Sequence, residues 1–591
     1  MCGIFGMIGS GAVENTLTAL KYLEYRGYDS AGIAVKRGGG LDIYKTEGRI
    51  QNLVDLVPQS VEGDTAIGHT RWATHGSVCS KNAHPFYSPD KSFAVVHNGI
   101  IENYLSLKEE LTKQGAEFSS DTDSETVAHL LERNYKGDVL TAVRATAKTL
   151  AGSFAIVVAT THDERLFAIK NKSPLVVGIS GKGVYLCSDI RCVSHWAEQV
   201  AVTPDNTVVV VGQEGVSFYD FEGKSVTVEF FAAEAAEEME QVEGEFMIKE
   251  IFEIPERICH AKAGYMAHGL QLSQKLVKKF KRIYLIGCGT AYNSGLQVAS
   301  VARKLLDVDV LPVIASEFIY DDYPVDNRTL AFFISQSGET ADTIRAAEKV
   351  KEQGGFTYAV TNTKTSQLAY ICEKVVNIYA GGEFAVASTK AYNCQLITLT
   401  LLMLDVARAR GNIEQGLYDK TVSAINALPK AVREILSGSY EIARLAEEIK
   451  DCSAVFFIGR TTDYPTAAEG SLKLKEISYI HSEAYPAGEL KHGTLALMEE
   501  GVAVVAIATD EGLTDKMALS IKEVAARGAK VISISPYVFD NAVPVSLPEV
   551  DKLLYGVVSV VPLQLLAYYA AKRLGKDVDK PRNLAKSVTV E

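Results

Sequence analysis

The sequence predicts a strand-rich α+β domain followed by a duplicated α/β domain, each copy built on a parallel sheet. Three observations carry this reading. Short β-type runs separated by turn residues fill residues 1–230, with amphipathic helices between them. The acidic stretch Ala232-Ala233-Glu234-Ala235-Ala236-Glu237-Glu238-Met239-Glu240, which lacks core-forming residues, then reads as a linker. Beyond it the pattern strand, loop, helix recurs, and Gly287 and Gly459 stand at equivalent places in two of the repeats.

In the first part the strand runs include Phe93-Ala94-Val95-Val96, Phe154-Ala155-Ile156-Val157-Val158, Leu166-Phe167-Ala168-Ile169 and Thr207-Val208-Val209-Val210-Val211. Helical spacing predicts helices from Glu102 to Lys113 and from Ser124 to Tyr135. In the second part Arg282-Ile283-Tyr284-Leu285-Ile286-Gly287 runs into Cys288-Gly289-Thr290. Leu330-Ala331-Phe332-Phe333-Ile334 runs into Ser335-Gln336-Ser337-Gly338-Glu339-Thr340. Ala454–Thr461 repeats the first of these patterns and Val502–Thr509 the second. The expected division is residues 2–230, a linker at 231–245, α/β domains at 246–425 and 426–575, and a tail at 576–591.

A chain of 591 residues exceeds what one core serves, about 250–300 residues. Hydrophobic content of 47% and charged content of 23% are those of a soluble protein, and a net charge of −13 argues against a nucleic-acid partner. Nine cysteines without metal or CxxC spacing read as reduced cytosolic thiols. There is no charged-then-apolar leader, so the expected location is cytoplasmic. The uncharged run Leu553–Ala571 contains Ser559, Pro562 and Gln564 and is read as a buried helix, with no membrane association.

Cys2 directly follows the initiator methionine. Once Met1 is removed, its thiol shares a residue with an α-amino group titrating at about 7.7–8.0, which can take the thiol proton and leave a thiolate nucleophile. Four further features complete the requirements of an amidohydrolase acting on an amino-acid substrate. Gly68-His69-Thr70-Arg71-Trp72-Ala73-Thr74-His75-Gly76 crowds polar side chains where a core would want none, and Arg71 offers a fork for a small carboxylate. Asn98 and Gly99 supply two donors for an oxyanion. Asp123 reads either as a helix N-cap or as a partner for a ligand ammonium.

Met1–Gly6, Leu23–Gly32, Gly68–Gly76 and His97-Asn98-Gly99-Ile100-Ile101-Glu102-Asn103 resemble the class II glutamine amidotransferases, N-terminal-nucleophile hydrolases with an αββα fold. The resemblance implies that Cys2 attacks the glutamine amide and that Asn98 and Gly99 form the oxyanion hole. It implies that Arg71, Thr74 and His75 face the glutamine carboxylate, that Asp123 faces its amine, and that Arg26 and Trp72 border the pocket.

The second half excludes two acceptors used within this class. No Ser-Gly-Gly-x-Asp-Ser pyrophosphate loop is present, and Asp321-Asp322 lacks the threonine-rich loop of phosphoribosyl binding. The loop Ser335–Thr340 sits before a helix, where hydroxyls and N–H groups favour phosphate, and no Walker lysine accompanies it. From Gly287 onward the chain resembles the paired sugar isomerase (SIS) domains of the glutamine–fructose-6-phosphate aminotransferases. The matches are Ala387-Ser388-Thr389-Lys390-Ala391, Leu472–Ile477, Gly488–Gly493 and Pro581–Glu591.

That resemblance implies glutamine and fructose 6-phosphate as substrates, a homodimer, and no metal or organic cofactor. It places the sugar phosphate at Gly289, Thr290, Ser335, Gln336, Ser337, Thr340, Val386 and Ser388. Amino-aldose formation needs a proton moved between C1 and C2, for which Glu476 is suited. Lys473 shares its helix at i,i+3. His492 can open the sugar ring, and Lys586 can form a Schiff base with the ketone if burial lowers its pKa. The tail is expected to close the sugar site and lead ammonia to it. Ala291 stands where relatives commonly place serine. A sugar-phosphate regulator would need neither Cys2 nor Glu476, and a fructosamine deglycase would lack the amidotransferase half.

Overall fold

Along the strand Gly3–Gly9, Ile4 and Ile8 fall on one face and Phe5 and Met7 on the other, and all four are buried. A strand apolar on both faces needs a layer on each side. The computed structural model, which describes residues 2–72, 76–213, 215–233 and 244–588, supplies both. Ile4, Ile8 and Ile67 of an antiparallel eight-stranded sheet pack against Ala94, Val96, Ala155 and Val157 of an antiparallel six-stranded sheet. On the outer face of the larger sheet, Phe5 and Met7 meet Ala19, Leu20 and Leu23 of the helix Ala12–Leu23. On the outer face of the smaller sheet, Val95, Ile156 and Val158 meet Leu130, Leu131 and Val143 of the helices Glu125–Asn134 and Val139–Thr149. The layers are therefore helix, sheet, sheet, helix. Gly3–Gly9 lies inside its sheet, between Gly183–Cys187 and Thr65–Arg71, and this carries Cys2 to the end of a central strand.

The chain divides into two units, between Glu240 and Gln241 and again between Lys586 and Ser587. The second unit holds two five-stranded parallel sheets. In the first the order is Asp309–Ile314, Arg282–Gly287, Thr329–Ser335, Phe356–Thr361, Lys374–Asn377. In the second it is Ser482–Pro486, Ala454–Gly459, Val502–Ile507, Lys530–Ser535, Val543–Ser546, the same order by position. Gly287 and Gly459 end matching strands for a steric reason. A Cβ at Gly459 would lie 2.5 Å from the Asp463 carbonyl, so the following helix reaches its sheet only over a glycine.

Two boundaries differ from expectation. Phe231–Ala232 forms a strand that pairs with Gln199–Val202, so the first domain extends into the segment read as linker, and 234–243 lie outside the described residues. The boundary expected at 425/426 falls within helical structure, where Gln415–Ala424, the turn Ile425–Ala427 and Leu428–Ser437 follow without a break. Its physical reason is a shared core. Leu285 and Phe332 of one sheet, Phe457 and Val505 of the other, and Ile425 and Leu428 belong to one continuous apolar cluster. The uncharged run becomes the helix Tyr555–Arg573, buried along nearly its whole length against Asp463–Ser478 and Ser439–Ile449. Among the described residues no helix is long and apolar enough to cross a membrane.

Candidate functional sites

The first site forms where the two facing sheets of the first unit bring their strand ends together. Gly3 leaves no room for a side chain, because a Cβ there would meet Leu23 and Thr70 at 2.7 Å, and the chain thus reaches Cys2 flush with its neighbours. The Cys2 thiol is half-buried, and the Trp72 amide donates to Sγ at 3.3 Å. Burial pushes the thiol up, while the chain's amino terminus, the Trp72 amide, Arg71 and Arg26 pull it back toward the thiolate. The Cys2 carbonyl is held from two sides, by Arg26 Nε at 3.2 Å and Asn98 Nδ2 at 3.0 Å. An amide nitrogen carries two hydrogens, so Asn98 keeps one beyond this bond.

Arg26, 1% exposed, pairs with Asp189 at 3.3 Å, and Asp189 also receives Tyr25 and Arg191. Burial alone would raise the Asp189 carboxyl, but Arg191 and Arg26 hold it far below the usual carboxylate range. Gly99 has φ +116, and a Cβ would lie 1.9 Å from the Ser153 carbonyl, so no other residue fits beside Asn98. Asp123 does not cap the helix that follows it. Its carboxylate accepts from Ile101 N at 2.8 Å, on the Asn98–Gly99 strand, and from Ser124 Oγ at 3.3 Å. Arg71 ends its strand and donates to the carbonyls of Ser77 and Gly76. Trp72 is half-buried, edge-on to Tyr28. Thr74 and His75 lie outside the described residues.

The second unit gathers its polar groups around two lysines. Lys473 and Glu476, three apart on the helix Asp463–Ser478, form an ion pair at 2.5 Å, and Glu469 on the same helix lies 3.5 Å from the Lys473 ammonium. Glu469, fully buried, takes Thr290 Oγ1 at 3.0 Å and Asn293 Nδ2 at 2.8 Å. Burial lifts its carboxyl to about 7 despite Lys473. Burial works to lower Lys473, and the two glutamates overcome it, so the ammonium is held above its ordinary value. Thr290 is engaged by Glu469 and Lys473, beside Gly289, whose φ of +52 opens the helix.

The loop after the strand Thr329–Ser335 is fastened by its own hydroxyls: Ser335 with Thr340 at 2.9 Å, Gly338 N to Ser335 at 3.0 Å, Glu339 N to Ser337 at 3.1 Å. Gln336 Nε2 is shut away from water without a partner, in the loop that precedes the helix Ala341–Glu352. Ser388 donates to Glu383 Oε2 at 2.9 Å, and Lys586 pairs with the same carboxylate. Glu383 Oε1 accepts from Thr389 N and Ala391 N, closing the N-terminus of the helix Lys390–Arg410. Burial works to raise the Glu383 carboxyl and Lys586 lowers it below its ordinary value. The Val386 amide is engaged with the Asp579 carbonyl, and the Asp579 carboxylate accepts from Phe246 N and Met247 N at 2.8 Å each. His492 is exposed on the turn Glu489–His492.

Two family models match the chain: the glutamine amidotransferase domain over residues 69–195, and the SIS domain twice, over 276–404 and 448–572. A glutamine–fructose-6-phosphate aminotransferase [isomerizing] of Fusobacterium nucleatum is 43% identical over 609 residues, covering all of both chains. One from Thermus thermophilus is 43% identical over 608 residues, again end to end. The chain belongs to the isomerizing glutamine–fructose-6-phosphate aminotransferases. Among solved structures, the C-terminal domain of the glucosamine-fructose-6-phosphate aminotransferase from Francisella tularensis matches with a TM-score of 0.56 at 35% identity, covering 58% of this chain and all of that one. The layers of the first unit are those of the N-terminal-nucleophile amidotransferases, and the paired parallel sheets are SIS domains.

Three buried carboxylates of this aminotransferase, Glu469, Asp189 and Glu383, stand outside the residues that the sequence motifs point to. Glu469 was open to inference, since it precedes Lys473 by four on one helix. Asp189 and Glu383 were not. They meet Arg26 and Lys586 across separations of 163 and 203 residues.

Proposed function

We propose that the chain converts glutamine and fructose 6-phosphate into glutamate and glucosamine 6-phosphate. The observation that carries the reading is that relatives bearing this activity in their name align over the whole of both chains, amidotransferase and isomerase halves together. Cys2 Sγ adds to the glutamine amide carbon, and the oxyanion takes Asn98 Nδ2 and the Gly99 N–H. Ammonia leaves, and water releases glutamate from the thioester. Arg71, Thr74 and His75 receive the glutamine carboxylate and Asp123 its ammonium.

The ammonia passes to the sugar site. There the Ser335–Thr340 loop with Gly289, Thr290, Val386 and Ser388 holds the phosphate sugar, and His492 opens the ring. Lys586 forms an imine with the C2 ketone, ammonia displaces the lysine, and Glu476 with Lys473 moves the proton between C1 and C2. The exposed position of His492 fits service to the sugar site of a second copy in a homodimer.

The test is product stoichiometry. With Met1 removed, one glutamate should form per glucosamine 6-phosphate. Cys2→Ala should lose glutamine use and keep sugar isomerisation. Glutamine hydrolysis retained in that variant would refute the nucleophile.

A further inference from the structure

His69 stands on the strand Thr65–Arg71 of the larger sheet, and Asn98 on the facing strand Phe93–Ile101 of the smaller one. Their side chains meet between the sheets. His69 Nε2 lies 3.0 Å from Asn98 Oδ1 and 2.9 Å from the His97 carbonyl oxygen. The His97 carbonyl can only accept, so Nε2 carries the hydrogen. The other ring nitrogen, Nδ1, is buried without a partner, as suits a bare lone pair, and the ring stacks on His84 at 4.0 Å between centroids. Burial lowers the His69 imidazole to about 3, so this neutral tautomer persists at all working pH values.

The second end of the Asn98 amide faces another acceptor, the Cys2 carbonyl at 3.0 Å from Nδ2. Turning the amide over would put its oxygen against that carbonyl and its NH2 against the His69 N–H, two repulsive contacts at once. We propose that His69 is a positioning residue for the glutaminase reaction, fixing the Asn98 amide so that its NH2 faces the nucleophile and the oxyanion formed there. The proposal rests on the reading of Asn98 as an oxyanion donor and adds to it the group that aims the donor.

Three variants of the full chain with Met1 removed test this: His69→Phe, which keeps a ring on His84 and loses the N–H; His69→Gln, which restores an N–H donor; and Asn98→Ala. Each is measured for glutamine kcat and KM, and for Cys2 alkylation by iodoacetamide, read by mass spectrometry. The third readout is the affinity for glutamate γ-semialdehyde relative to glutamate. That aldehyde adds the Cys2 sulfur to its carbonyl carbon, and the resulting tetrahedral oxygen needs the same donors, whereas alkylation does not.

Loss of one oxyanion donor costs roughly 100- to 1000-fold in kcat, and a misaimed donor is bounded by that figure. His69→Phe should therefore lower kcat at least about tenfold with little change in KM, and lower the aldehyde preference by the same factor. Alkylation should hold its rate, and His69→Gln should recover most of the loss. A thermal melting profile matching the wild type verifies folding of the first unit. An unchanged aldehyde preference in His69→Phe, beside a lost one in Asn98→Ala, overturns the His69 assignment alone. An unchanged preference in Asn98→Ala overturns the oxyanion reading beneath it. A His69→Gln variant as impaired as Asn98→Ala also overturns the assignment, even if His69→Phe fails to fold.

Discussion

The Lys586 ammonium and the Glu383 carboxylate form an ion pair closed to water, their side chains 5% and 0% exposed. The same carboxylate closes the N-terminus of the helix Lys390–Arg410 and holds the Ser388 hydroxyl. One buried acid thus fixes a tail lysine, a loop serine and a helix end. Removing one partner of such a pair leaves an uncompensated buried charge, at a cost of about 3–5 kcal/mol. Glu383→Gln and Lys586→Met should each lower the melting temperature of the second unit. The double variant should lose clearly less than the sum, by calorimetry on all three. Strict additivity would mean that the pair does not hold the tail.

Asp189 makes the corresponding prediction for the first unit. Its carboxyl, held far below the usual range, stays ionised and keeps Arg26 on the Cys2 carbonyl. Asp189→Asn should slow glutamine turnover and speed hydrogen exchange along Gly3–Gly9, because Arg26 is left buried without its counter-charge. The wild-type contribution is present above the ordinary carboxylate range and lost as pH falls below it. Exchange rates equal to wild type would show that the Cys2 carbonyl is held without Arg26.

Glu250 predicts a stability trend of opposite sign. Burial first, and then the neighbouring Glu383 charge, lift its carboxyl to about 8. Between the ordinary carboxylate range and about pH 8 the folded chain keeps a proton that the unfolded chain releases, so stability falls as pH rises through that window. In Glu250→Gln an uncharged amide replaces the protonated acid and still accepts from Phe384 N and Ala385 N. The melting temperature of the variant relative to wild type should rise from about pH 4 to about pH 9. A difference independent of pH would show that Glu250 titrates normally.

Ala291, half-buried in the first turn of the helix Gly289–Ala302, occupies the place where the resemblance led to serine. A hydroxyl there adds a hydrogen bond of about 0.5–1.5 kcal/mol net, or more to a charged partner. Ala291→Ser should lower the apparent fructose 6-phosphate constant several-fold and leave glutamine hydrolysis unchanged. Loss of synthesis would mean that the pocket is shaped around the smaller side chain.

What the sequence disclosed follows from how local each signal is. The β-type runs at Phe93–Val96 and Phe154–Val158 and the repeated strand-to-glycine turn at Gly287 and Gly459 are short-range patterns, and they announced both architectures. Cys2, Asn98 and Arg71 announced themselves by residue type and position. The carboxylates that hold Arg26 and Lys586 carry no such mark. Asp189 stands in an ordinary strand-to-helix turn and Glu383 in a glycine-rich loop, and each finds its partner only after the chain has folded. The two α/β domains are present, but the boundary expected at 425/426 falls inside helical structure for a related reason. Each sheet looked complete by itself, whereas the core that Ile425 and Leu428 join is shared between them.

Asp579, fastened to the amides of Phe246 and Met247, gives the chain end a fixed point of attachment. The residues from there to Lys586 reach about 25 Å when fully extended, so the lysine amine is confined to a small volume around that anchor. Within it a single ammonium counts as a counter-charge at millimolar or higher effective concentration for the Glu383 carboxylate. The same tether holds the Lys586 ammonium beside the Glu383 carboxylate without any partner having to be drawn from solution.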